Sequence, residues 1–134
     1  MRVVDSSVVI SALTHSDTKV LKKCRDELES TTVAVAHVLF ESYAKLTSLP
    51  SERRLQPDAA WQLLREMFPD KPLTLSSAGV GRVLNLMSLH SVAGGAVYDC
   101  LIAETARERG ATLVSRDKRA MQNYARIGVD AEII

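Results

Sequence analysis

Asp5, Glu41, Asp99 and Asp117 stand in equivalent places along this sequence. Each follows a strand-like apolar run or falls near the start of a helical pattern. In a parallel sheet the carboxyl ends of the strands lie along one edge, and the helix starts that follow them line the same edge. Open α/β sheets place their ligand sites there. All four acids can therefore converge on one crevice. Two carboxylates about 4 Å apart repel by roughly 4 kcal/mol at an effective dielectric near 20, so a group of them calls for a cation or shared protons. Hard oxygen donors without an adjacent thiolate or a paired histidine suit Mg²⁺ or Mn²⁺. Such ions activate water and neutralise charge building on a phosphodiester.

Taken singly, each acid has a plainer role. Glu41 and Asp99 complement a helix macrodipole if they lie in a first turn, and Asp5 and Asp117 can cap the helices that follow them. Asp99 fits that role least well, because Val97, Tyr98, Leu101 and Ile102 surround it with apolar sequence. Asp5 likewise leaves a strand too apolar to be exposed. Ser7 and Ser115, two residues from Asp5 and Asp117, carry hydroxyls able to orient a carboxylate or a metal-bound water. Capping or turn formation explains both equally well.

The positioning elements follow from periodicity. Arg2–Val4 reads as a short buried strand and Ser6 onward as a short helix reaching Leu13. Val20, Leu21, Cys24 and Leu28 recur at helical spacing, giving an amphipathic helix capped by Ser16 or Asp17 and ending near Ser30. Thr31–Ala36 is β-branched and alternating, a second strand, and His37–Leu49 returns to a helical period that Pro50 closes. Pro57 suits the first turn of the next helix. Leu73–Leu75 makes a short edge strand, and Ser76 or Ser77 caps a helix through Val83 and Met87. A further helix starts at Ala96 or Val97 and ends at Gly110, well suited to its C-terminal cap. Ala111–Ser115 is a fourth strand, Asp117–Arg126 a helix and Val129–Ile133 a fifth strand. Strands that alternate with helices throughout predict a largely parallel sheet covered on both faces, a three-layer α/β/α sandwich.

Composition sets the bounds. With 134 residues, 46% apolar and 25% charged, the chain is expected to be one globular domain over 1–134. No apolar stretch approaches the ~20 residues of a membrane span, and Met-Arg running into strand is not a signal peptide. A soluble cytoplasmic protein is expected. Cys24 and Cys100 read as small buried hydrophobes in a reducing compartment. His15, His37 and His90 lie too far apart for a zinc site. A net charge of +1 exerts no global pull on nucleic acid, though a local basic cluster remains open.

The ordered set Val-Val-Asp5-Ser-Ser, Leu-Phe-Glu41, Gly-Gly-Ala-Val-Tyr-Asp99-Cys-Leu-Ile-Ala and Leu-Val-Ser115-Arg-Asp117 resembles the PIN-domain nucleases, and within them the VapC-type toxins of bacterial toxin–antitoxin pairs. The resemblance spans the whole chain. It implies a parallel five-stranded sheet of order 3-2-1-4-5, with the strands before Asp5 and Asp117 side by side. It also implies a Mg²⁺- or Mn²⁺-dependent endoribonuclease with Asp5, Glu41, Asp99 and Asp117 as its acidic quartet. Ser115 falls where the family has Thr or Ser, and Ser7 stands where many members carry Asn. A homodimer held inactive by a cognate antitoxin, whose tail lies along the early helices, is implied too. In this reading Asp5, Asp99 and Glu41 hold a first metal, Asp117 completes the site or serves a second ion, and no covalent nucleophile is needed. Arg116, Lys118 and Arg119 flank Asp117 and would meet RNA phosphates, although an exposed helix face explains them equally. Lys45 and Arg82 are weaker candidates of that kind. His37, a turn before Glu41, could touch substrate, with a cap or loop role as the plainer one.

Two other classes compete. A phosphatase with Asp5 as nucleophile wants a second acid two residues on, where this chain has Ser7, and a receiver domain wants a late lysine that is not evident. A PIN-fold module that only binds a partner protein predicts loss of one or more acids, and all four are present.

Overall fold

The structure, a computed structural model, describes residues 1–134. The elements run β1 (Arg2–Val4), α1 (Ser6–Thr14), α2 (Thr18–Glu29), α3 (Ala36–Leu46), α4 (Pro57–Met67), α5 (Ser77–Leu89), α6 (Ala96–Glu108), β2 (Thr112–Ser115), α7 (Lys118–Arg126) and β3 (Glu132–Ile133). The sheet is parallel, in the order β1-β2-β3. Val4 lies opposite Val114, and the Asp5 N–H extends the ladder to the Val114 carbonyl at 3.0 Å. The strands leading to Asp5 and Asp117 are thus neighbours, ending at one level. Val3 and Val4 are both fully buried, as are Leu113 and Val114. Successive strand residues point to opposite faces, so both faces of the sheet are covered.

Five strands were expected and three form. Thr31–Ala36 and Leu73–Leu75 meet in a single parallel bridge, Val35 to Leu73, closed by Ala36 N–H to Leu73 O at 2.8 Å and Leu73 N–H to Ala34 O at 2.9 Å. Both segments are cut short by their neighbours. The Thr31 N–H and hydroxyl return to α2, at Leu28 O and Glu27 O, and α3 already begins at Ala36. Pro72, which has no N–H, precedes Leu73, and Ser76 caps α5 just beyond Leu75. The order 3-2-1-4-5 therefore survives only as its 1-4-5 side.

The expected strand Val129–Ile133 also contracts. Gly128, at φ 80°, lets the chain turn back so that the Val129 N–H caps α7 at Tyr124 O, leaving Glu132–Ile133 to pair. Gly110 does the same after α6 at φ 65°, as its position predicted. Asp17 and Ser76 accept N–H groups at the starts of α2 and α5. Helix α3 ends at Leu46 rather than Leu49. Helices α1, α6 and α7 pack on β2, α1 also meets α2 and α3, and α6 meets α5. Cys24 and Cys100 are buried and free. No helix is long and apolar enough to cross a membrane.

Candidate active site

Asp5, Glu41, Asp99 and Asp117 line one cleft of about 380 Å³. It opens above the carboxyl ends of β1 and β2. Asp5 is 4% exposed and caps α1, accepting the Ser7 N–H at 3.0 Å. Its Oδ1 also accepts the Ser7 hydroxyl and its Oδ2 the Tyr124 hydroxyl at 2.8 Å. Asp117 caps α7, its Oδ1 accepting the N–H groups of Arg119 and Ala120. Both acids therefore keep the plainer capping role while also facing the cleft. Asp99 lies in the first turn of α6, as expected, and accepts Asn123 Nδ2 at 2.9 Å. Glu41 does not lie in a first turn: α3 starts early, at Ala36, and Glu41 falls in its second turn. There it accepts the Ser6 hydroxyl at 2.8 Å and stands 3.2 Å from His37 Nε2.

The electrostatics are unbalanced. Burial pushes the Asp99 carboxyl above the ordinary carboxylate range, and Glu41, Asp117 and Asp5 push it the same way, against the Asn123 hydrogen bond. Tyr124 is 1% exposed, and burial together with Asp5 raises its phenol, so it stays a donor. The cation that reaches the cleft is Lys45, whose Nζ donates to the Ser6 hydroxyl at 3.2 Å.

The donor chemistry fits a hard divalent cation. All four acids supply oxygen, and the repulsion on Asp99 is of the kind a cation relieves. No three of the chain's acids, histidines or cysteines stand close enough to ligate one ion as they are arranged. Closing the quartet around an ion thus takes a shift of side chains.

The two hydroxyl candidates sit differently. Ser7 lines the cleft and binds Asp5, whereas Ser115 is fully buried behind it, 3.5 Å from the Ser7 hydroxyl, and accepts the Asp117 N–H at 2.9 Å. Arg116 turns its guanidinium to the Ile134 carbonyl. Lys118 and Arg119 are exposed, with Arg119 3.7 Å from Asp117. Arg82 is spent elsewhere, paired with the fully buried Glu104. The plane of the His37 ring stacks on Tyr98 at 4.9 Å between centroids, at the cleft wall. Sequence reading missed Ser6, Tyr98, Asn123 and Tyr124. For Tyr124 a signal existed: it follows Ala120 by one turn on an inner helix face, and a buried tyrosine hydroxyl needs a partner.

Strand order, helix order and an acid-lined cleft at the sheet's carboxyl edge define a PIN-type α/β protein. Residues 2–127 match the PIN domain family, and the chain belongs to it. Ribonuclease VapC27 of Mycobacterium tuberculosis is 38% identical over 126 residues, 94% of this chain and 91% of that protein. Ribonuclease VapC40 of the same organism is 35% identical over 100 residues, 75% of each chain. Among solved structures, FitAcB from Neisseria gonorrhoeae matches with a TM-score of 0.71 at 17% identity, covering 98% of this chain and 96% of that one. VapBC2 from Rickettsia felis, bound to a DNA fragment from its promoter, matches at 0.69 and 16% identity, covering 99% and 98%. At those identities the structures establish the shared fold.

Proposed function

We propose that this chain is a divalent-metal-dependent endoribonuclease and the toxin half of a type II toxin–antitoxin pair. The observation that carries the reading is the gathering of four carboxylates, from four separate segments, on one cleft. Relatives named as VapC ribonucleases support it, and the fold is shared with VapBC2. A Mg²⁺ or Mn²⁺ ion held by Asp5, Asp99 and Glu41, with Asp117 completing the set or serving a second ion, would supply water activation and neutralise charge on the phosphodiester.

The chain's own residues orient and select. Ser7 and Tyr124 fix the Asp5 carboxylate, and Ser6 fixes Glu41. Ser115 holds the Asp117 backbone and so steadies the turn that presents it. Lys45 faces the RNA phosphates from inside the cleft, and Lys118 and Arg119 reach them from its rim. Arg116 contributes less, its guanidinium being bound to the Ile134 carbonyl. The Ser7 hydroxyl donates to Asp5, which orients that carboxylate, and the four-acid cleft needs no covalent nucleophile. Water is the attacking group. An antitoxin and a second copy are the expected partners. Exposed apolar residues supply surface for them: Phe40 and Trp61 beside a groove between α3 and α4, and Val80, Leu84 and Leu89 on α5. On this reading the protein works in the cytoplasm, where its RNA substrate lies.

Cleavage of total RNA with added Mg²⁺ or Mn²⁺ tests the activity. Chelator should abolish it, and Asp5→Asn and Asp99→Asn should each lower it at least tenfold, more than ~1.4 kcal/mol. Undiminished cleavage by both variants would overturn the mechanism. A separate assay addresses the toxin role: expression alone should arrest growth, and co-expression of the neighbouring gene should relieve it.

A further inference from the structure

Helix α7 touches the acidic cleft through more than its capping residue. Two consecutive side chains, Asn123 and Tyr124, each donate a hydrogen bond to a different acid of the quartet. Asn123 Nδ2 reaches Asp99 Oδ2 at 2.9 Å, and the Tyr124 hydroxyl reaches Asp5 Oδ2 at 2.8 Å. Consecutive residues on a helix point about 100° apart. That divergence lets one turn of α7 grip an acid following β1 and another on α6.

Both donors are themselves fixed. Tyr124 is buried, and its carbonyl accepts the N–H groups of Ile127 and Val129 in the C-terminal cap of α7. The Asn123 carbonyl lies 3.8 Å from the Cys100 thiol, so α7 is tied to α6 one residue beyond Asp99. Asp117 anchors the other end of α7 by capping it.

The chemistry of the clamp is selective. Tyr and Asn are neutral, so they orient a carboxylate without adding a positive charge that would repel an incoming cation. Arginine or lysine in either place would pair with the acid and compete for it. An ionised carboxylate offers about four lone-pair sites. Asp5 uses three, on Ser7 N–H, Ser7 hydroxyl and Tyr124, and Asp99 uses one, which leaves its Oδ1 without a protein donor. The clamp therefore fixes both acids and leaves each with capacity for a ligand.

We infer that Asn123 and Tyr124 are positioning residues of the metal centre, acting as one helix-borne clamp that sets the orientation of Asp99 and Asp5. The inference rests on the metal-centre reading above and adds residues that reading does not assign. Neither side chain is a catalytic residue; each acts through an acid.

The test measures Mn²⁺ affinity without RNA, by the spectroscopic signal of free aqueous Mn²⁺, for the full chain and its variants. Tyr124→Phe keeps the buried ring and removes only the hydroxyl; Asn123→Ala changes a half-buried site and serves if the first variant unfolds. Each should weaken Mn²⁺ binding about tenfold, the usual loss when a group orienting a ligand is removed. Asp5→Asn and Asp99→Asn should weaken it more. Tyr124→Phe should add nothing once Asp5 is Asn, and Asn123→Ala should add nothing once Asp99 is Asn, because a positioning residue acts only through its acid. Wild-type affinity in Tyr124→Phe and Asn123→Ala, with Asp5→Asn and Asp99→Asn impaired, overturns the clamp and leaves the metal centre standing. Full additivity with the acid variants also overturns it, assigning the losses to general destabilisation. Unchanged affinity in Asp5→Asn and Asp99→Asn removes the metal centre itself and the clamp with it.

Discussion

Helix α6 carries two acids in from solvent, and it treats them oppositely. Glu104, near its end, is fully buried and gripped by Arg107 at 2.6 and 3.0 Å and by Arg82 from α5. Asp99, near its start, has an amide hydrogen bond and three other carboxylates acting on it. The first is a closed ionic knot that locks α5 to α6. No guanidinium meets the second, and the neighbouring acids act on it with burial to raise its carboxyl. A buried acid supplied with guanidinium groups serves the fold, whereas one supplied with neutral donors and like charges is the arrangement that the proposed metal centre calls for.

The largest effect should come from opening the knot. Replacing Arg82 and Arg107 together by Met strands Glu104, and urea unfolding should show a loss of about 3–5 kcal/mol, the usual penalty for an unpaired buried charge. Asp99→Asn, by contrast, should leave the fold intact while costing at least tenfold in RNA cleavage, about 1.4 kcal/mol or more. A mutant pair with these effects exchanged would erase the distinction between the two acids.

A smaller effect separates the two acids by sign. Asp99 titrates higher in the folded chain than unfolded, so its contribution to stability is present below its unfolded value and lost as pH rises through its folded value. In chelator at neutral pH, Asp99→Asn should therefore melt above wild type, and the gap should close as pH falls through the carboxyl range. Added Mn²⁺ should reverse the order, stabilising wild type more than the variant. A variant that melts below wild type in chelator would show that Asp99 is not under repulsion. The smallest effect is at Arg119, whose side chain is 95% exposed. Arg119→Ala should change stability by less than about 0.5 kcal/mol, yet lower RNA affinity and reduce its salt slope by about one. An unchanged slope would remove Arg119 from the RNA path.

Much of this was legible along the chain. Apolar runs, helical periods, capping residues and the glycine after α6 placed the helices to within a few residues, because each signal is local. Asp5 and Asp117 were legible for the same reason, each following a strand-like run at the sheet edge, whereas Glu41 and Asp99 lie within helices and were read from their nearness to helix starts. The strands were read less well. Thr31–Ala36 and Leu73–Leu75 have strand composition, but whether they join a sheet depends on what α2, α3 and α5 leave free, and here a single bridge remains.

That Asp5 and Asp117 would share a cleft followed from residue type and order, since parallel strands bring their ends to one edge, and nearness to helix starts, with the family resemblance, added Glu41 and Asp99. How each acid is held did not follow. Tyr124 and Asp5 lie 119 residues apart and Asn123 and Asp99 lie 24 apart, and nothing local pairs them. Nor does anything local tell the Arg82 that closes on Glu104 from the Lys45 that enters the cleft. The sequence by itself determined the parallel α/β frame, its helices and the acids at its edge, through periodicity and short-range sterics. The tertiary structure decided which hydroxyl, amide or guanidinium meets each acid, because those contacts depend on side-chain reach across packed elements.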